Sequence, residues 1–410
     1  MDVTDLAASA SDPFARAFQL AEIGVETAAQ LARLALCPDR YTPAALVAQG
    51  AGLALRAGEC ARQALSAPDL LWAALELANK AEVFALVKGV ALLIGEPLAG
   101  PLPILPLIER AYALGDFPAL WAVEGLGHDY AESVWRESGP PRGLLADRGV
   151  AAELPEASLL MLHAGMGLAF ADRLLPGSAA APAREIRRAV AEIVALDRAN
   201  SRPGYLGPAL ESLGLIARLF RCAAMVPAVD RALAAVAPEA RGYFWHGAGR
   251  ALYFLPESFL PGSTWLIFQM AEQMAGQAAP GGRDLARANA LAGAAWAELL
   301  VNQRRPEILW QLIVRPHGER LLDSGAGFAN GVASALVMRR DTTPGAAFER
   351  AFLDFRPSDG TARERAAWER LVGVPGRRAV EVAYPILRAE NRLGEIFHVA
   401  PLPGAAGGAA

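Results

Sequence analysis

The fold is decided by the stretch HAGMGLAF at His163–Phe170, which recurs as WHGAGRAL at Trp245–Leu252. Glycine and alanine occupy matching positions in the two copies, and each copy is followed by Pro-Gly-Ser, beginning at Pro176 and Pro261. Glycine inside a helix costs about 1 kcal/mol relative to alanine. Its recurrence therefore indicates helices whose backbones approach one another closely.

Small residues of this kind return along the chain at a mean spacing of about 40 residues, in the range of helical-hairpin repeats. A second matched pair, EGLG at Glu124–Gly127 and ESLG at Glu211–Gly214, belongs to the same series. Chance alignment is the alternative, because 39 of the 410 residues are glycine. The aligned glycines are Gly52, Gly89, Gly127, Gly167, Gly214, Gly249, Gly293 and Gly331.

Helical patterns dominate, and sustained runs of alternating β-branched residues are absent from the sequence. Residues 183–200 place aliphatic side chains on one stripe, as in a surface helix, whereas 160–174 and 242–255 are apolar nearly all round and predict central helices. We predict an all-α fold of stacked helical hairpins of about 40 residues, forming an α/α toroid or a superhelical solenoid. Residues 1–400 are expected to form a single helical-repeat domain, and residues 401–410 a flexible tail.

Composition limits the function classes. Hydrophobic residues make up 53% of the chain and charged residues 20%, which excludes intrinsic disorder. The net charge of −4, without a basic block, predicts no nucleic-acid partner. Asp2 and Asp5 stand where a signal peptide needs basic residues, and prolines and charges interrupt the apolar stretch 83–108, so we expect a cytoplasmic protein without a membrane span. Three widely separated cysteines are expected to be reduced core residues: Cys37, Cys60 and Cys222.

Polar groups on the apolar helices are the candidates for chemistry, because burying a charge is costly unless it is paired or used. Glu124 and His128 are four residues apart and share a helix face, as do His246 and Arg250. Histidine and carboxylates together can perform acid–base chemistry or bind a metal. The alternative is a set of satisfied core pairs without turnover. The predicted catalytic residues are Glu124, His128, His163, Glu211, His246 and Arg250.

Aromatic residues on the same helices could line a pocket for a large apolar ligand, or could simply belong to the core. Neither an H-E-x-x-H motif nor a dinucleotide-binding or phosphate-binding loop occurs in the sequence. The cofactor is therefore left unknown, and metal binding is left open. The predicted substrate-binding residues are Trp121, Phe170, Trp245 and Tyr253.

Three segments resemble an uncharacterised bacterial family, UnbL-like, which accompanies gene clusters for enediyne polyketides and other secondary metabolites. They are GYFWHGAGRALYFLPESFLPG at 242–262, MLHAGMGLAFADRL at 161–174 and EGLGHDYA at 124–131. The likeness covers roughly residues 80–340, and departs from the family pattern at Arg339, Arg340 and Asp341. It implies a role beside a polyunsaturated or polyketide-derived intermediate, with a protein partner from the same gene cluster, and supplies no catalytic residues.

Two function classes follow from these observations. The first is a secondary-metabolite biosynthetic enzyme, a cyclase, lyase or oxidative tailoring enzyme, that binds a large apolar polyketide- or polyene-like intermediate and uses the His/Glu/Arg set for acid–base or metal-assisted chemistry. The second is a non-catalytic helical-repeat scaffold or carrier that binds a partner protein or a hydrophobic ligand. Apolar inner helices favour the first class, and the missing catalytic motif favours the second.

Overall fold

The computed structural model describes residues 70–88, 102–146, 149–255, 258, 264–314, 321 and 326–400. Within these ranges the chain is helical and contains no β-strand, which confirms the all-α prediction. The predicted tail at 401–410, Gly52, Gly89, Cys37 and Cys60 all lie outside the described residues. Cys222 is free and half-buried, less enclosed than a core residue.

Sixteen α-helical segments are described, several of them joined end to end. Residues 216–221 continue α6 as a π-helical turn, and two further π-helical turns at 369–373 and 379–383 join α14, α15 and α16 into one helix. The segments are α1 Leu70–Lys88, α2 Ile104–Ala113, α3 Asp116–Ser138, α4 Leu159–Leu174, α5 Ala183–Asn200, α6 Leu206–Leu215, α7 Met225–Val236, α8 Arg241–Tyr253, α9 Thr264–Ala275, α10 Arg283–Asn302, α11 Pro306–Val314, α12 Ala326–Thr342, α13 Ala347–Asp354, α14 Ala362–Trp368, α15 Val374–Arg378 and α16 Tyr384–Ala389.

The helices fall into two classes that the sequence pattern predicts. Helix α4 is buried continuously from Leu159 to Ala171, as expected of a central helix. Helix α5 buries the stripe containing Ile186, Val190 and Ile193 and exposes its arginines, as expected of a surface helix. Helices α3, α4, α6, α8, α10 and α12 form the inner series, in which each helix packs against the next.

Glycines lie at the contacts between consecutive inner helices. A Cβ atom at Gly127 would overlap the backbone of Leu162, and one at Gly167 would overlap the backbone of Ala209. The same holds at the later contacts of the series. Because the obstacle is backbone, which cannot rotate away, only glycine permits these helices to approach so closely. The glycines that the repeat predicts thus act as expected from Gly127 onward; the other members described are Gly214, Gly249, Gly293 and Gly331.

The last inner helix, α12, also contacts the beginning of the series. Arg339 Nη1 donates to the Asp116 carbonyl oxygen at 3.1 Å, and the Tyr112 hydroxyl donates to the Thr342 carbonyl oxygen at the same distance. Helix α1 packs against α3 and α10. The beginning and the end of the inner series are therefore joined by direct hydrogen bonds.

A C-terminal strap, residues 390–400, follows the last α-helix and crosses the inner helices, with a 3₁₀ helix at Leu393–Phe397. Its Gly394 N–H donates to the Gly204 carbonyl oxygen at 2.7 Å, and its Val399 N–H donates to Asn289 Oδ1 at 2.6 Å. Farther along, Asn330 Nδ2 donates to the Ala400 carbonyl oxygen at 3.0 Å. The strap follows no repeat of the inner series, and the sequence pattern did not predict it.

Among the helices in the described ranges, none combines the length and the apolar character needed to cross a bilayer.

Gly167→Ala should destabilise the protein by about 2 kcal/mol or more, because the added methyl group meets the Ala209 backbone. This is opposite in sign to the helix-propensity gain of about 1 kcal/mol that alanine brings at an unobstructed helix site. The free energy of unfolding in urea measures the change. Gly276→Ala is the control, because a Cβ there approaches only the Gln273 carbonyl oxygen, at 3.2 Å. Equal free energies of unfolding for the two variants would contradict the predicted overlap at Gly167.

Candidate functional site

Arg250 lies between two carboxylates that come from different inner helices. Its Nη2 contacts Glu124 Oε1 and Oε2 on α3 at 2.6 and 2.8 Å, and its Nη1 contacts Glu211 Oε2 on α6 at 3.2 Å. All three side chains are at least 97% buried, with exposed fractions of 3%, 1% and 0%. A buried guanidinium held by two carboxylates is strongly paired, because each charge has lost its water.

His246 extends this group by one turn of α8. Its Nδ1 lies 3.3 Å from Glu211 Oε1, and both side chains are completely buried. An ionised carboxylate can only accept hydrogen bonds, so Nδ1 is the donor to Glu211, and in the neutral tautomer Nε2 would carry the lone pair. We call Glu124, Glu211, His246 and Arg250 the buried ion cluster.

The glycine contacts explain why these side chains meet. A Cβ at Gly165 would overlap the Glu124 carbonyl oxygen, and a Cβ at Gly247 would overlap that of Glu211. The backbone of a site residue is therefore itself the surface on which the next helix rests. Close approach brings the side chains of α3, α6 and α8 within hydrogen-bond distance of one another.

The pKa values of the two carboxyl groups are shifted in opposite directions. Burial raises the pKa of Glu124, and the opposing attraction of Arg250 does not cancel that effect. Burial acts on Glu211 in the same sense, but Arg250 and His246 outweigh it and lower its pKa. Burial also opposes the charge of Arg250, yet the two carboxylates raise its pKa. Because the two carboxyl groups share one guanidinium, their protons are coupled, and the pKa values belong to the cluster as a whole.

Three polar nitrogens are buried and have no hydrogen-bond partner within the described structure. Two belong to the cluster, His246 Nε2 and Arg250 Nε, and the third is Trp296 Nε1 beside it. The Arg250 guanidinium lies 4.7 Å from the Trp296 ring centre, and the His246 ring centre lies 6.0 Å from it. Phe397 of the C-terminal strap covers the same place, 6.1 Å from His246. A buried donor or acceptor without a partner costs about 1–3 kcal/mol, so these three nitrogens are the candidate ligand contacts of the cluster.

His163 is completely buried but stands outside the buried ion cluster. Its Nδ1 donates to the Leu159 carbonyl oxygen at 2.7 Å, and its Nε2 accepts from the Arg202 N–H at 3.0 Å. Burial lowers its pKa to about 4, so the ring is neutral near pH 7. Both nitrogens are occupied, and the ring stacks on Tyr205. His163 therefore fixes the turn before α6.

His128 also stands apart, although it shares α3 with Glu124. Its ring is 36% exposed and lies 3.0 Å from Asp129. Partial burial lowers its pKa, but the hydrogen bond and charge of Asp129 outweigh this and raise it. The structure thus unites four of the six predicted catalytic residues and leaves both His128 and His163 outside the cluster.

The four predicted substrate-binding aromatics are fully buried, each in a separate contact. Two pack against another aromatic ring, and two use their polar atom in a hydrogen bond. The contacts join Trp121 to Phe117, Phe170 to Trp135, Trp245 to Asp230, and Tyr253 to Glu76 and Asn302. The aromatic rings that do border the cluster are Trp296 on α10 and Phe397 of the C-terminal strap, neither of which is among the four predicted residues.

Within the described residues, no group of three histidine, cysteine, aspartate or glutamate side chains is arranged to hold a metal ion.

No protein-family model, no curated protein and no solved structure matches the chain. The resemblance to the UnbL-like family remains a prediction.

Glu124→Leu should lower the free energy of unfolding by about 3 kcal/mol, because Arg250 then keeps only one buried carboxylate partner. Combining it with Arg250→Met should cost clearly less than the sum of the two single variants, because no unpaired guanidinium remains. Urea unfolding of the four proteins measures this coupling. Glu132→Leu on the same helix is the control, since its pair with Arg173 is partly exposed and worth under about 1 kcal/mol. If the losses in free energy of unfolding of the two single variants simply add in the double variant, Glu124 and Arg250 are not coupled and the prediction is wrong.

Asp197 on α5 is a buried acid that lies outside the buried ion cluster. Its exposed fraction is 0%, and neither carboxyl oxygen has a hydrogen-bond partner in the part of the chain described. Burial alone raises its pKa well above the usual value, so the folded protein favours the protonated carboxyl. A raised folded-state pKa contributes stability that is complete below the unfolded pKa and is lost as the pH rises.

Asp197→Asn should therefore gain stability relative to the parent protein as the pH rises from about 5 to about 8, because asparagine has no proton to lose. Urea unfolding at several pH values gives the difference in free energy of unfolding between the two proteins. Glu192→Gln, an exposed site on the same helix, should show a much flatter difference. A pH-independent difference for Asp197→Asn would mean that Asp197 is ionised in the folded state.

Proposed function

We propose that this protein is a biosynthetic enzyme that uses His246 as a general base on a large apolar intermediate. The observation that carries the proposal is the His246–Glu211 pair, in which Nδ1 is held by a carboxylate while the buried Nε2 has no partner in the described structure. A carboxylate on one imidazole nitrogen orients the ring and stabilises the imidazolium that forms when the other nitrogen takes a proton.

The reaction class that fits is proton abstraction next to a carbonyl group. His246 Nε2 takes the proton from carbon, the electron pair of that C–H bond forms the carbon–carbon double bond of an enolate, and the π pair of the carbonyl group moves to its oxygen. Arg250 Nε and Trp296 Nε1 are the buried N–H donors beside His246 that can stabilise the oxygen. A positioned base of this kind contributes about 10²- to 10⁴-fold in rate. Enolate formation is the first step of many cyclisations and eliminations, which agrees with a cyclase or lyase.

The substrate class rests on the surroundings of the base and on the family resemblance. Trp296 and Phe397 border His246 with apolar ring surface, which favours a polyene- or polyketide-like chain carrying one carbonyl oxygen. The natural-product setting and a protein partner from the same gene cluster follow from the resemblance to the UnbL-like family alone. A cytoplasmic location is part of the same proposal.

The proposed architecture is an α/α toroid in which the inner helices surround the cluster. Two observations support it. Hydrogen bonds from Arg339 and Tyr112 join the end of the inner series to its beginning. In addition, Arg250 on α8 reaches Glu124 on α3, although α4 and α6 lie between them in the series. A toroid accounts for both contacts, because its interior brings non-consecutive inner helices together.

A carrier is the second candidate, favoured by the burial of His246 under Phe397. A carrier would hold the same apolar ligand and leave it unchanged.

The test is exchange of α-hydrogens with solvent deuterium in a panel of polyene and polyketide thioesters, followed by mass spectrometry. His246→Gln and Glu211→Gln should slow the exchange by about 10²-fold or more. His128→Gln should leave it unchanged, because that ring lies outside the cluster. Full exchange by His246→Gln would refute the base. Native mass spectrometry with elemental analysis of protein purified without chelator completes the test: a retained thioester without exchange would identify a carrier, and a stoichiometric metal would contradict metal-free base catalysis.

A further inference from the structure

A second place with unpaired buried donors lies where α10, α12 and the start of α3 meet, away from the buried ion cluster. Arg339 on α12 has an exposed fraction of 0%. Its hydrogen bonds go to uncharged acceptors: Gln303 Oε1 at 3.1 Å, the Asp116 carbonyl oxygen at 3.1 Å and Thr343 Oγ1 at 3.4 Å. No carboxylate within the described ranges forms an ion pair with it. A buried guanidinium without a counter-charge is costly.

Two donors at this place are without a partner in the described structure, Arg339 Nη2 and Gln303 Nε2. The orientation of the Gln303 amide is fixed, because Arg339 Nε is a donor and the atom facing it must be an oxygen. In a guanidinium the Nε–H and one Nη2–H bond point the same way, as in bidentate binding of an anion. Nη2 therefore directs a hydrogen from the same edge of the guanidinium that faces Gln303.

Charges of both signs lie near Arg339, but no carboxylate within the described ranges contacts it. Arg304 lies over one face of Phe117, at 3.6 Å from the ring centre, and Arg339 is 5.7 Å from the same centre. The nearby carboxylates pair with other arginines, Glu82 with Arg304 and Glu349 with Arg340. Burial, and then the charge of Arg304, lowers the pKa of Arg339 to about 9, although the charges of Glu349 and Asp116 act in the opposite direction. An anion in contact with the guanidinium would oppose this lowering of the pKa.

We propose that Arg339 Nη2 and Gln303 Nε2 bind one small monovalent anion of the size of chloride. Two unpaired N–H donors, one of them on a guanidinium that has no direct carboxylate partner within the described ranges, select an anion. The aromatic side chains Phe117 and Phe348, which flank the Arg339 guanidinium, restrict the site to a small ion. The proposal is independent of the chemistry at His246.

The bound anion is a structural ligand of the contact between the last and the first inner helix. Arg339 reaches Gln303 just after α10 and the Asp116 carbonyl at the start of α3, so an anion that fixes its guanidinium also fixes these two neighbours. A ligand that binds only the folded protein stabilises it in proportion to the logarithm of its concentration.

The first experiment is thermal unfolding of the full chain in sodium chloride and in sodium gluconate at constant ionic strength. We expect the midpoint to rise by about 2 °C for each tenfold rise in chloride at the expense of gluconate. Equal midpoints in the two salts would overturn the proposal. Constant ionic strength removes the general screening effect of salt.

Gln303→Glu separates the site from any other chloride effect. The new carboxylate supplies a fixed negative charge beside Arg339, so the midpoint in gluconate should rise and the chloride dependence should disappear. Gln273→Glu is the matched control on an exposed position of α9, and it should retain the full chloride dependence. A chloride dependence that survives in Gln303→Glu would overturn the proposal.

Bromide-soaked crystals locate the anion directly. The expected result is an anomalous peak within hydrogen-bond distance of Arg339 Nη2 and Gln303 Nε2, absent in Gln303→Glu. A peak elsewhere, or a water at this position, would overturn the proposal. So would a bromide peak in a protein whose unfolding midpoint does not respond to chloride, because the ion would then be bound at crystal concentration only.

Discussion

Close contact between the backbones of the inner helices is the constraint on which the rest of the structure depends. At Gly165, Gly247 and Gly293 a single methyl group would overlap the carbonyl oxygens of Glu124, Glu211 and His246. Each glycine gives up helix propensity, and the contact it permits outweighs that cost. Because the helices approach so closely, charged side chains between them cannot reach solvent. They either pair across the contact or remain buried without partners.

The buried ion cluster follows from that constraint. Arg250 could not remain charged among apolar helices without Glu124 and Glu211, and neither carboxylate could remain ionised without Arg250. Apolar side chains of the same volume would pack as well without the desolvation cost, so stability alone does not explain the cluster. The proposed function uses the unpaired Nε2 of His246 as the base, because Nδ1 faces Glu211 and Nε2 has no partner among the described residues.

The proposed sites at His246 and at Arg339 differ in the chemistry of the ligand that their unpaired atoms would bind. At His246 two donors and one acceptor adjoin aromatic surface, a combination suited to an apolar molecule with one oxygen. At Arg339 the unpaired atoms are both donors, and one of them belongs to a buried guanidinium without an ion pair in the described ranges, a combination suited to an anion. Both arise where non-consecutive parts of the inner series meet, since those contacts join side chains that no local pattern matches to one another.

The sequence by itself determined the all-α class, the division into central and surface helices, and the glycine contacts from Gly127 onward, because these depend on periodicity and residue size along one segment. All four residues of the buried ion cluster were also among the candidates that the sequence indicated. Only the tertiary structure decided that Arg250 joins Glu124, that His163 is already saturated, and that Phe397 covers His246. Each of these depends on the rotation between helices or on the path of the C-terminal strap, and such long-range geometry leaves no periodic trace in the sequence.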